Sequence, residues 1–195
     1  MNETQAELDA LQALLDRSHA GASDHLRGII DDRRTLSARE IAGLMTGMRV
    51  VSFATVTAGG EPRISALDGH FLNGHWTLST LRSSPKGRQL VARPAVSAAC
   101  IEGEELAVFT HGRAVVLEGD ELAEVDAHWT AHYGSSPLSW GDVVLFRLEP
   151  TWMVGYVSDR TKVLAKRGVP EDPRESSVLD IRRPAPMVSE RLGRD

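Results

Sequence analysis

What this chain lacks narrows it first. It has one cysteine, Cys100, in 195 residues, so no internal disulfide can form, and that usage fits a reducing compartment. No apolar run approaches the roughly 20 residues of a membrane span. The first residues are acidic and polar, where a secretion signal would be basic and then apolar. A cytoplasmic location without membrane contact is the expectation. The chain also lacks positive charge: 22 Lys and Arg stand against 27 Asp and Glu, a net of −5, which removes bulk support for nucleic-acid binding. Neither Gly-x-Gly-x-x-Gly nor a P-loop occurs, and no internal repeat is visible.

Apolar residues make up 42% of the chain, enough for one ordinary domain with extensions. Leu8, Leu11, Leu14 and Leu15 recur at helical spacing, Leu26, Ile29 and Ile30 form a short second apolar face, and Ser37-Ala38-Arg39-Glu40 is a capping box opening a third helix. From Met48 the period changes to strands: Val50–Val56, then Arg63–Leu67 continuing into His70–Leu72, then His75–Thr80 after Asn73-Gly74, a strong type I′ hairpin signal. Val96–Ile101, Leu106–Leu117 with a bulge or close approach at Gly112, and Val143–Leu148 extended by Trp152–Val157 complete the strands. A helix through Leu122, Val125 and Trp129 should end near Tyr133-Gly134. The order predicts a mainly β, α+β fold: an antiparallel barrel with short flanking helices and an N-terminal helical extension. Its expected parts are residues 1–47, a barrel domain over 48–157, and a tail over 158–195, loosely ordered beyond Pro170. Adjacent hairpins without a βαβ crossover count against a Rossmann domain.

The stretch from Ser79 to Leu90 concentrates the chemistry. Hydroxyls, Lys86 and two arginines gather where a strand hands over to a helix N-terminus, a place where free N–H groups and the helix dipole favour an anion. Between Glu61 and Arg93 the charges are Arg63, Arg82, Lys86, Arg88 and Arg93 against Glu61 and Asp68, a local positive field in an acidic protein. For any one of these residues, a solvated surface charge is the simpler reading.

Phe53-Ala54-Thr55-Val56, Gly60-Glu61-Pro62-Arg63-Ile64-Ser65, Thr80-x-x-x-Ser84-x-Lys86, Leu90-x-x-x-Pro94-x-Val96-Ser97 and His111-Gly112-Arg113-Ala114 follow one another in an order that resembles the pyridoxamine 5′-phosphate oxidase-like split β-barrel superfamily. That superfamily also contains the deazaflavin (coenzyme F420) dependent reductases. The resemblance spans roughly residues 48–157. It implies a homodimer with FMN, or alternatively coenzyme F420, held at the subunit interface, and hydride transfer to or from a small organic substrate. It places the cofactor phosphate on Arg63 and Ser65, with the Ile64 backbone beside the ring, and on Ser79, Thr80, Ser84 and Lys86, with Arg88 in reach. A non-catalytic flavin carrier, stress protein or haem binder on the same barrel is the rival. Two departures stand out: Pro85 replaces the arginine that many members carry before the lysine, and Ser189–Asp195 lacks the Arg-x-His motif of the vitamin B6 oxidases.

Other constellations read more plainly. Glu124, His128 and His132 stand four apart on one helix, a spacing a metal could use. No further ligand is evident, so an exposed polar stripe is preferred and no metal is assigned. His70 and His75 could face each other across their hairpin, His111 reads as a packed strand residue, and Cys100 as a buried inert thiol. The four tryptophans read as core or dimer interface, with Trp140 or Trp152 able to cover a cofactor ring. No side chain reads as an obligatory acid or base.

Overall fold

A computed structural model describes residues 3–173; the segment Ser189–Asp195 and most of the expected loose tail fall outside them. Six strands form a closed antiparallel barrel in the order β1-β2-β3-β6-β5-β4. They are β1 (Met48–Val56), β2 (Pro62–Leu72), β3 (His75–Leu81), β4 (Ala95–Glu102), β5 (Leu106–Val116) and β6 (Val143–Val157). As expected, Trp152–Val157 extends Val143–Leu148 past Pro150 as one strand. Asn73 and Gly74 both adopt positive φ, 54° and 81°, as a type I′ turn requires. Phe53, Trp76, Leu78, Val108, Phe146 and Leu148 fill the interior.

Six α-helices surround the barrel: α1 (Gln5–Ala20), α2 (Asp24–Ile29), α3 (Ala38–Leu44), α4 (Pro85–Ala92), α5 (Gly119–Tyr133) and α6 (Arg160–Arg167). Helix α6 was not foreseen; it follows the barrel directly, with Asp159 as its N-cap. The α3 capping box forms as expected, and α1 carries a second one between Thr4 and Glu7. Helices α1 and α3 share the main core, through Leu8, Leu11, Leu15, Ile41 and Met45. The Ser18 hydroxyl accepts the Met153 N–H of β6 at 3.0 Å while donating to the Leu14 carbonyl at 2.8 Å. The N-terminal helices are therefore welded to the barrel.

A buried ion pair fastens the two ends of the chain. Glu40 is 0% exposed. Its carboxylate receives Arg160 Nε at 2.9 and 3.0 Å, the Ser37 N–H at 2.9 Å and the Asp172 N–H at 3.0 Å. Burial alone would raise its pKa. The Arg160 bonds, the two backbone N–H groups and the Arg160 charge outweigh that and hold it below the ordinary 4.5. Arg160, with 14% of its side chain exposed, also donates to the Asp172 carbonyl at 2.9 Å.

Removing one partner leaves the other charge buried and uncompensated, so Arg160→Met should cost about 3–5 kcal/mol in urea unfolding. Because the folded pKa of Glu40 is lowered, its stabilisation is complete above pH 4.5 and is lost as pH falls through the folded value. Acid unfolding of the Glu40→Gln variant should therefore show a shallower pH dependence than the natural chain. Equal slopes would mean the pair is not what acid breaks.

Candidate functional site

The barrel parts along one seam. Residues 62–68 of β2 pair only with β1, whereas β3 leaves β2 after Leu78 and continues along β6. Alternation puts Arg63 and Ser65 in the inward row of β2, in line with buried Leu67. In β3 the same rule puts Thr80 inward and Ser79 on the opposite face, since the interior partners Trp76 and Leu78 are also even-numbered. Ile64 points outward and is 77% exposed.

Helix α4 begins beside this seam. Ser84 is its N-cap, accepting the Gly87 N–H at 3.0 Å, and Pro85 takes the first helical position, where its fixed φ is at home. The Thr80 and Ser84 hydroxyls lie 3.1 Å apart. A Cβ on Gly87 would stand 2.3 Å from the Leu81 carbonyl oxygen and 2.8 Å from that of Arg82, so only glycine lets the helix start press against the end of β3. The helix is anchored from the other side too. Thr55, the register partner of Arg63, donates to Gln89 Oε1 at 2.6 Å, and Arg93 Nε donates to the Val56 carbonyl at 2.9 Å. Through Thr55 and Gln89 the β2 row and the α4 start belong to one rigid unit. Sequence reasoning passed over that pair; its only signal was a threonine in the interior row of an apolar strand.

The structure thus brings Thr80, Ser84 and the N-terminal turn of α4 together, with Lys86 half-buried on that turn. Among the described residues Lys86 has no ion pair. Arg63 is exposed and engaged with Glu61 at 2.6 Å, and Arg88 donates to the Ser83 carbonyl. One ammonium, two adjacent hydroxyls and a helix N-terminus are a donor set suited to a phosphate monoester. Arg63 would have to leave Glu61 to join it. Two hollows, one lined by His70 and His128 and one by Phe109 and Trp152, lie elsewhere.

The remaining candidates resolve as follows. His75 pairs with Leu72 and His70 with Thr77, so the two histidines do not face each other. His111 is exposed, not packed inside: it stacks on Trp152 at 4.7 Å and shares a 2.8 Å hydrogen bond with Ser97. Trp76 and Trp129 are buried, while Trp140 is exposed. Burial pushes the Cys100 thiol up to about 11, so it is inert at neutral pH. Among the described residues, no group of three or more His, Cys, Asp or Glu is arranged to hold a metal ion, and no helix is long and apolar enough to cross a membrane.

No protein-family model and no curated protein matches this chain. Among solved structures, a conserved hypothetical protein from Mycobacterium tuberculosis aligns with a TM-score of 0.56 at 22% identity, over 75% of this chain and 97% of its own. A protein of unknown function from Agrobacterium tumefaciens gives 0.53 at 20% identity, over 60% of this chain and 55% of its own. An F420 reductase gives 0.47 at 18% identity, over 58% and 94%, too loose a likeness to carry an argument. The first two likenesses show the fold alone, here a closed six-stranded antiparallel barrel consistent with the split β-barrel expected from the sequence.

Gly87→Ala tests the α4 contact. The added methyl must push the helix start off the Leu81 carbonyl, so exchange protection of the first turn of α4 should fall while that of β4 and β5 holds. Unchanged protection would mean the contact is not tight.

Proposed function

We propose that this protein binds FMN at the start of α4 and acts as an oxidoreductase on a small organic substrate. The observation that carries the reading is the meeting of Thr80, Ser84 and Lys86, which has no ion pair among the described residues, at one helix N-terminus beside the barrel seam. When bound, the flavin would supply hydride transfer. The chain's own part is binding: Lys86 offers a point charge, Ser84 and Thr80 offer hydroxyls, and Arg63 and Ser65 approach from the inward row of β2. Pro85 offers no N–H and no guanidinium, so Lys86 carries more of the anion than in proteins with arginine there.

FMN is preferred to the deazaflavin for a stated reason. A longer polyanionic tail needs a groove of several cations, and each arginine that could join one would first have to leave a partner. Arg82 stands 3.9 Å from Asp142, Arg88 holds the Ser83 carbonyl and Arg93 the Val56 carbonyl.

The proposal includes a homodimer. Val50, Ile64 and Ile101, at 60%, 77% and 56% exposure, stand on the outer faces of neighbouring strands β1, β2 and β4, among the small side chains of Ser52, Ala54, Ala66 and Ala99. An exposed apolar face of this kind suits a second copy of the chain, which would also close the seam over a bound ring.

Native mass spectrometry of the purified protein should show a dimer carrying flavin, or one that takes up FMN when titrated. Lys86→Ala should weaken FMN binding about 10- to 100-fold, the worth of one hydrogen bond to a charged group. Ile64→Asp should shift the dimer toward monomer. A colourless protein that binds neither FMN nor the deazaflavin would overturn the assignment, and a bound flavin that never cycles with NADPH and candidate acceptors would favour a carrier.

A further inference from the structure

Helix α5 lies across the outer face of the barrel, where its Val125 and Trp129 meet Leu72, Leu117 and Leu145. Beneath its second half sits His70 of β2, 1% exposed. His70 Nδ1 lies 3.2 Å from His128 Nε2. The His70 ring centroid is 5.1 Å from that of His128, 4.9 Å from His132, 4.8 Å from Trp129 and 5.9 Å from Tyr133. Every one of these partners is on α5. The second nitrogen of His70, Nε2, is buried without a hydrogen-bond partner among the described residues.

Two imidazole nitrogens at hydrogen-bond distance can share one proton, because one must donate and the other accept. The pair therefore holds when the rings are neutral, or carry one charge between them. A second proton turns both nitrogens into donors and sets like charges against each other. A hollow of about 200 Å³, lined by His70, His128, Phe71, Leu72, Thr46 and Gly47 among others, borders the pair, so water can bring protons without unfolding the barrel.

We propose that the His70–His128–His132 cluster is an acid-sensitive latch that fastens the second half of α5 to the barrel and lets go as pH falls. The groups facing it are few. From α5 come His128, His132, Tyr133 and, bonded to Asn73 at 3.5 Å, Glu124. From β2 comes Asp68, which accepts the Tyr133 hydroxyl at 3.1 Å. Glu3 lies at the hollow, β3 presents the neutral Thr77, and toward the start of α5 Glu121 meets His75 of β3 and Arg147 of β6. The charge of Asp68 favours a protonated His70. Burial first, then the charges of His128 and His132, overcome it and push His70 down to about 4. Burial and His132 lower His128 as well.

The sign follows. A lowered imidazole binds its proton more weakly with the latch closed than open. The latch is therefore at full strength above pH 6.5 and weakens as pH falls toward 4. Each proton taken up on opening makes opening about tenfold easier per pH unit across that window.

The test is amide hydrogen exchange at about pH 7.5, 6 and 5, corrected for intrinsic rates, which reports opening free energies segment by segment. Protection of residues 125–133 should fall about tenfold per pH unit per proton below 6.5, while β5 keeps its protection. His70→Phe should flatten the dependence. Should that buried variant fail to fold, His128→Gln removes the half-buried partner and should flatten it too. Imidazole NMR on the natural chain needs no variant and should show His70 neutral well below pH 6. Protection of α5 that does not change with pH, a natural slope retained in the variants that fold, or a His70 titrating at its ordinary value would overturn the latch.

Discussion

Gly112 lies so close to β6 that a Cβ there would stand 2.0 Å from the Glu149 carbonyl oxygen, and much of the architecture turns on that contact. The β5–β6 register shifts at this point: His111 pairs with Trp152 and Gly112 with Pro150, leaving Thr151 as the extra residue. A bulge exchanges the two faces of the strand that carries it. Before it, Val144, Phe146 and Leu148 point inward; after it, Met153 and Val157 do. One strand thereby serves as barrel wall to β3 in its first half and as the floor for α1 in its second. The same twist leaves His111 and Trp152 stacked on the outside.

The candidate site depends on a second constraint, the seam between β2 and β3. A sheet that stayed paired there would have no room for a helix N-terminus. Once the strands part, β2 keeps only β1 as its partner over residues 62–68, and α4 is held in place by contacts from both sides. Gly87 sets how closely it meets β3, and the Thr55–Gln89 bond ties it to β1. Neither contact would touch a bound anion. Both decide where the donors of Ser84 and Lys86 are, which is how a scaffold turns a generic helix start into a preorganised site.

Much of this was legible in the residues because the signals were local. Asn73-Gly74 prescribes its own turn, Ser37 and Glu40 cap each other, and the change of period at Met48 separates helices from strands. The run of β6 through Pro150 was legible too, as Val143–Leu148 extended by Trp152–Val157, since at a bulge a proline costs no ladder bond. What escaped was non-local. Helix α6 escaped because only Val163 and Leu164 of its residues are buried, too short an apolar signal for a periodicity argument. His128 and His132 were visible as a spacing, yet their partner His70 lies 58 residues before His128, and only the path of α5 over β2 joins them. In the loop from Ser79 to Lys86 the residue types pointed to an anion, but pleating separates Ser79 from Thr80.

Pro85 shows how local comfort and ligand chemistry pull against each other. At the first turn of α4 it stabilises the helix start by fixing φ and removes a backbone N–H that would otherwise want a partner. An anion at that helix end loses a donor by the same stroke. What remains is concentrated on a single ammonium and two hydroxyls, with the Arg63 guanidinium of β2 held by Glu61. Glu61 competes with any incoming anion for that guanidinium. The exposed Arg63–Glu61 pair is worth little in water, so a phosphate of twice the charge can displace it at small cost. On the proposed reading the free site carries the Lys86 charge alone, and it gains a second cation only when an anion draws Arg63 away from Glu61.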